Sequence, residues 1–133
     1  MQREIINPDG LAEPSGFNHG ILVDGGQLLF LAGQDASDAN GEIVAPGDLL
    51  GQFEQVVANL ATVVKAAGGT PDDIVKLNVF VADRDDYRSK LGPLGEIFGD
   101  YFDVYPAMAL FEVSNFFRSD ALIEMEGFAV VNP

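Results

Sequence analysis

A single domain, one sheet with helices on one face, is the fold this sequence predicts. Three observations carry that expectation. Apolar residues recur at helical spacing from Leu49 to Ala67, an amphipathic stripe long enough to cover a sheet. Several short runs alternate apolar and polar residues with a period of two. The chain has 133 residues, 47% of them apolar, which suits one domain with a real core.

Taken in order, Arg3 to Ile6 is a short strand candidate, followed by an irregular segment set by Pro8, Gly10, Pro14 and Gly16. Gly20 to Val23 and Gln27 to Ala32 flank Asp24-Gly25-Gly26, a tight-turn signal that predicts a hairpin. Asp35 to Glu42 is a polar loop ending in Asn40-Gly41. The long helix follows, with Asp48 placed to cap its start and Gly68-Gly69 to stop it. Ile74 to Ala82 is a β-branched strand with Leu77, Val79 and Val81 on one face and Lys76, Asn78 and Phe80 on the other. Asp83 to Asp86 reads as a turn. Tyr87 to Phe102 reads as a second helix, broken or kinked near Gly92-Pro93. Two strands close the chain, over Tyr105–Val113 and Ala121–Val131.

With one sheet to bury them, both helices belong on the same face. Phe80, Met108, Leu110 and Phe128 are expected on the other face, too apolar to leave in water, so a second copy is the natural cover.

Charge narrows the partners. Seven Lys and Arg stand against 21 Asp and Glu, for a net −14. The cations are scattered, whereas phosphate recognition needs them clustered, so nucleic acid and anionic membranes are not expected partners. No cysteine is present, which excludes disulfides and thiolate chemistry. The first eight residues lack the apolar stretch of a signal peptide, and no window resembles a membrane span, so a cytoplasmic location is expected.

Leu31-Ala32-Gly33-Gln34, Ala66-Ala67-Gly68-Gly69, Asp73-Ile74-Val75-Lys76, Tyr105-Pro106-Ala107 and Ile123-Glu124-Met125-Glu126, in that order and spacing, resemble the YjgF/RidA family of reactive-intermediate deaminases over nearly the whole chain. The resemblance implies a chorismate-mutase-like α+β fold, a six-stranded mixed sheet with two helices on one face. It also implies a homotrimer whose sheets line a central barrel, with small-molecule clefts between subunits and no cofactor.

In deaminase members a cleft arginine grips the carboxylate of a 2-imino or 2-enamino acid, and a glutamate positions the water that releases ammonia. By the same resemblance the glutamate is Glu124, and Gly33 brings its backbone near the ligand. Met108 stands in place of the arginine, Phe17 in place of a tyrosine, and Leu91 in place of an asparagine. Ala109 and Leu110 complete the implied binding wall. A thioether carries no charge and no donor, so the carboxylate clamp is absent. Two functions follow: an imine or enamine hydrolase with a shifted, more apolar substrate range, or a non-catalytic small-molecule binder on the same scaffold. Translation inhibition and RNA cleavage, also attributed to this family, conflict with the charge.

Each functional assignment has a structural alternative. Glu124 is either a water-orienting acid/base or, like Glu126 and Glu112, a hydrogen-bonded structural carboxylate. Met108 is either a wall selected for an apolar ligand or a packable residue in a retired site. His19 is the sole histidine, and a loop-bracing role is favoured over a general base. Arg118, Arg88 and Lys90 are either relocated anion clamps or solvated cations. No histidine–carboxylate spacing points to a metal.

Overall fold

The computed structural model describes residues 2–132. Six strands are present: β1 (Gln2–Ile6), β2 (Gly20–Asp24), β3 (Gln27–Gln34), β4 (Ile74–Val81), β5 (Ala107–Glu112) and β6 (Ile123–Val131). Three helices accompany them: α1 (Leu49–Ala66), α2 (Arg84–Ser89) and α3 (Leu91–Gly99). The main sheet has the order β3-β6-β4-β5 and is mixed, with β4 and β5 parallel and the other pairs antiparallel.

The expected hairpin is only half realised. Gly25 and Gly26 both adopt left-handed φ, 82° and 83°, as a tight turn requires. The strands they join nevertheless enter different sheets, β2 pairing with β1 and β3 with β6. Each of the two strands finds its register with a partner elsewhere in the chain. The β1–β2 ribbon has no helix to pack on, and Leu22 stays 62% exposed.

α1 packs one face of the main sheet through Phe53, Val56, Val57, Leu60 and Val64, all buried. Asp48 occupies the N-cap position, but its side chain makes no cap hydrogen bond. The other end is well closed. Gly68 takes φ 89°, its N–H donates to the Lys65 carbonyl, and the Gly69 N–H donates to the Val64 carbonyl, a Schellman arrangement.

The second helix is two helices. Asp83 accepts from the N–H groups of Asp85 (3.0 Å) and Asp86 (3.1 Å), so the segment expected as a turn is the start of α2. The break falls at Lys90, three residues before Pro93. A proline at 93 cannot donate to the Ser89 carbonyl, and its ring crowds that group, so α2 ends there and α3 begins anew.

β6 is central and alternates strictly. Ile123, Met125, Gly127, Ala129 and Val131 are buried under the helices, while Glu124, Glu126 and Phe128 face the other way. At Gly127 the strands come close: a Cβ there would lie 1.8 Å from the Lys76 carbonyl oxygen.

The open face corrects one expectation. Phe80 and Phe128 lie on it, joined by Phe30 and Phe111, with Phe30 edge-on to Phe128 (5.4 Å) and Phe80 stacked on Phe111 (5.7 Å). Met108 and Leu110 do not. The β5 register pairs them with Leu77 and Val79, which are buried on the helix side. Strands joined in register share faces, so these two side chains turn toward α3.

One buried polar side chain ties the core to the last loop. Gln52, fully buried on α1, donates to the carbonyls of Asp120 (3.1 Å) and Ala45 (3.3 Å) and accepts from the Leu122 N–H (2.8 Å). A Gln52→Leu substitution strands these groups. Each orphaned buried polar group costs about 1–3 kcal/mol, so chemical denaturation is expected to show a loss of about 3 kcal/mol. Gly127→Ala sets a methyl group against backbone rather than a flexible side chain. Its expected cost is about 3 kcal/mol or more, measured as a lowered Tm or as failure to recover folded protein.

Candidate active site

The predicted site residues fall into two groups on opposite faces of the main sheet. On the helix side, Phe17, Leu91, Met108, Ala109 and Leu110 line one cavity of about 470 Å³. Phe53, Tyr87, Leu94, Phe98 and Tyr105 complete its walls. The aromatic rings form a connected cluster. Phe53 tilts against Tyr87 and Phe98, each at 6.4 Å, and Phe98 stacks on Tyr105 at 5.6 Å. No charged side chain is among the described residues of the lining.

β5 forms one border of this cavity and is an edge strand. Its inner edge pairs with β4, and the Asn18–Ala107 bridge covers the start of its outer edge. Ala109 shares its register with Asn78, so its methyl lies on the far face and its main chain is what borders the cavity.

On the open face, Glu124 lies across from Phe80 and against Gly33. A Cβ on Gly33 would stand 3.0 Å from Glu124 Oε1, so the absent side chain is what lets the carboxyl lie on the β3 backbone. The β3–β6 ladder shifts register between Leu31 and Gln34, opening the strand at this point. The Glu124 carboxyl is held above the usual carboxylate range, first by partial burial and then by the negative charges of Asp35 and Glu126.

Asp35 is itself braced: Arg118 Nε stands 3.7 Å from its carboxylate, and the Ser37 hydroxyl donates to it. Arg118 also donates to the Gly41 carbonyl. It is therefore a loop brace beside Glu124's neighbour and does not reach into the apolar cavity. Glu126 accepts a long hydrogen bond from Asn78 (3.5 Å), and Glu112 accepts from the Arg84 N–H (2.9 Å), both structural contacts.

The remaining candidates act locally. His19 Nε2 hydrogen-bonds the Ala12 carbonyl (2.7 Å), and its ring meets Phe17 edge-on at 5.2 Å, which is loop bracing. Lys90 pairs with Asp86 one turn earlier, and Arg88 is exposed. No cluster of His, Cys, Asp or Glu among the described residues has metal-binding geometry. No helix among them is long and apolar enough to cross a membrane.

Sequence reasoning missed Tyr87, Phe98 and Tyr105 as cavity walls and Asp35 as the neighbour of Glu124. For Tyr87 a signal existed: it lies four residues before Leu91, the spacing that brings side chains to one face. For Asp35 there was none, because the register shift after Leu31 hides which face it meets.

A small sheet half-covered by helices, with an aromatic-walled cavity beside an edge strand and a glutamate of raised pKa on the opposite face, is the architecture of a Rid-type domain. A model of the family described as Endoribonuclease L-PSP matches residues 11–131. A RutC family protein of Pyrococcus horikoshii is 30% identical, over 96% of this chain and 97% of its own. One from Synechocystis is 33% identical, over 98% of each. A solved structure of a conserved Rid family protein from Yersinia pestis, of unknown function, superposes with a TM-score of 0.86 at 37% identity, over 98% of this chain and 100% of that one. The YjgF gene product of E. coli gives 0.70 at 32% identity, over 87% and 88%. The chain belongs to the YjgF/RidA family and has its chorismate-mutase-like fold.

The raised Glu124 pKa makes a stability prediction. The folded chain holds this proton more tightly than the unfolded one, so ionising Glu124 costs folding free energy above its folded pKa. That cost vanishes below the ordinary value of 4.5. Glu124→Gln is therefore expected to melt above wild type at pH 7–8, with the two curves converging as pH falls toward 4. Thermal melts across that range measure it.

Proposed function

We propose that this protein is an imine- or enamine-hydrolysing enzyme of the deaminase type whose substrate is more apolar than a small 2-imino acid. The observation that supports it is the division of the site. The cavity beside Met108 offers ligand walls and the main-chain edge of β5, while Glu124 and Gly33 offer a protonatable carboxyl and close backbone on the other face. One chain cannot bring these together around one ligand. A homotrimer that buries the open sheet faces, with Phe30, Phe111 and Phe128 in its interior, sets one copy's cavity against its neighbour's glutamate.

In such a cleft, Glu124 with its raised pKa orients and deprotonates water, then returns the proton to the departing ammonia. Main-chain N–H groups near Gly33 and Ala109 hold charge that develops at the reacting carbon's substituents. Met108 leaves no cation for a substrate carboxylate. A missing charged clamp lowers binding by about 2–5 kcal/mol, roughly 10^1.5- to 10^3.5-fold, which removes small 2-imino acids from the substrate range.

The same charge-free lining favours a second reading, a small-molecule binder without turnover. One experiment separates the two. Ammonia release is followed from imines made in situ by an amino-acid oxidase, from small polar to large apolar amino acids. Wild type is expected to act on the apolar imines, Glu124→Ala to lose at least about 100-fold, and Met108→Arg to gain on the small ones. Inactivity of wild type on every imine, with activity appearing in Met108→Arg, establishes the binder instead.

A further inference from the structure

The cavity is almost wholly apolar, and its polar side chains are informative. Three of its lining residues carry a hydroxyl: Ser15, Tyr87 and Tyr105. Ser15 lies in the exposed N-terminal segment, and Tyr105 is 40% exposed, so water already competes for both. Tyr87 differs. It packs against the core from α2, with its ring against Phe53. α2 is fixed at one end by the Asp83 cap and at the other by the Lys90–Asp86 pair.

Among the described residues, no side chain or backbone group hydrogen-bonds the Tyr87 hydroxyl. No side-chain oxygen or nitrogen sealed within those residues lacks a partner either. The unpaired hydroxyl is therefore not sealed within the protein, and Tyr87 is one of the residues that line the cavity. Burial pushes its pKa up, so it is a neutral phenol with a proton to donate.

We propose that the Tyr87 hydroxyl is the specificity-determining anchor of this cavity. It donates a hydrogen bond to the carbonyl or imine acceptor of an uncharged ligand whose aromatic body lies among Phe17, Phe53, Phe98 and Met108. The inference rests on the cavity being the small-molecule site proposed above, and it names the class of molecule that site takes.

The physics selects against anions. A carboxylate entering an apolar cleft sheds its water shell and meets no cation, whereas a neutral acceptor needs one donor and finds it. The aromatic walls suit a planar ligand, because offset and edge-on ring contacts add to burial of the ring. Leu91, 58% exposed at the cavity, extends the apolar lining outward.

The test is a binding titration of the full chain at pH 7 with three probes of matched size: phenylacetamide, phenylacetate and toluene. Wild type is expected to bind phenylacetamide at least tenfold more tightly than phenylacetate. Tyr87→Phe is expected to weaken phenylacetamide about two- to tenfold, the range of one neutral hydrogen bond, and to leave toluene unchanged. Its Tm should equal or exceed that of wild type, because the deleted hydroxyl has no partner within the chain.

Unchanged phenylacetamide affinity in Tyr87→Phe overturns the assignment. So does phenylacetate binding as tightly as the amide, an equal loss of toluene, or no amide binding at all. No turnover step enters the measurement. An enzyme inactive on every imine that still binds the amide through Tyr87 would lose the deaminase reading alone. A working deaminase whose amide affinity ignores Tyr87 would lose this inference alone.

Discussion

Where β6 crosses β4 at Gly127, the Lys76 carbonyl occupies the space that any side chain would need. That close approach fixes the register of the central strand, and the register decides everything that faces either way from the sheet. With Gly127 opposite Leu77, the odd-numbered residues of β6 pack under α1 and the even-numbered ones point to the open face. A slip of one residue would drive Glu124 and Glu126 beneath the helix and put Ile123 and Met125 in water. The core and the glutamate thus depend on the same contact. Gly33, on the neighbouring strand, performs the complementary task by leaving room for the Glu124 carboxyl.

Electrostatics on the two faces is correspondingly unequal. The open face gathers acid: burial, then the charges of Asp35 and Glu126, raise the Glu124 pKa, and Arg118 is engaged by Asp35 and the Gly41 carbonyl. The helix-side cavity gathers rings and a thioether. In a chain with only seven Lys and Arg, no cation reaches that cavity among the described residues. The chemistry available there is recognition by shape, stacking and single hydrogen bonds.

Much of this was legible in the sequence for definite reasons. The stripe from Leu49 to Ala67 is long and regular enough to identify α1 and its Gly68 stop. The alternations of β4 and β6 identify their buried faces because each is a strand with one dry side. Phe17, Leu91, Met108 and Leu110, which the family resemblance names together, all line the helix-side cavity. The failures occurred where long-range pairing overrides local pattern. Met108 and Leu110 were assigned to the open face because β5 alone does not reveal its phase against β4; the parallel register does. The Asp24-Gly25-Gly26 turn is real, yet pairing partners elsewhere in the chain pull its two strands apart. Pro93 was seen, but its effect on the carbonyl four residues earlier places the break at Lys90. Asp35 reads as loop, since the shift in the β3–β6 ladder leaves no trace in the residue types.

Placing the cavity and the glutamate on opposite sides of one sheet has a consequence for inheritance. On the proposed reading, a defect at Met108's side and a defect at Glu124 disable different halves of different clefts. Two alleles, each inactive by itself, could then restore one another in mixed assemblies, because a ring containing both kinds of chain has at least one cleft built from two intact halves. On that reading the functional unit under selection is the contact between copies rather than the folded chain, and damage confined to one half is complemented in mixture.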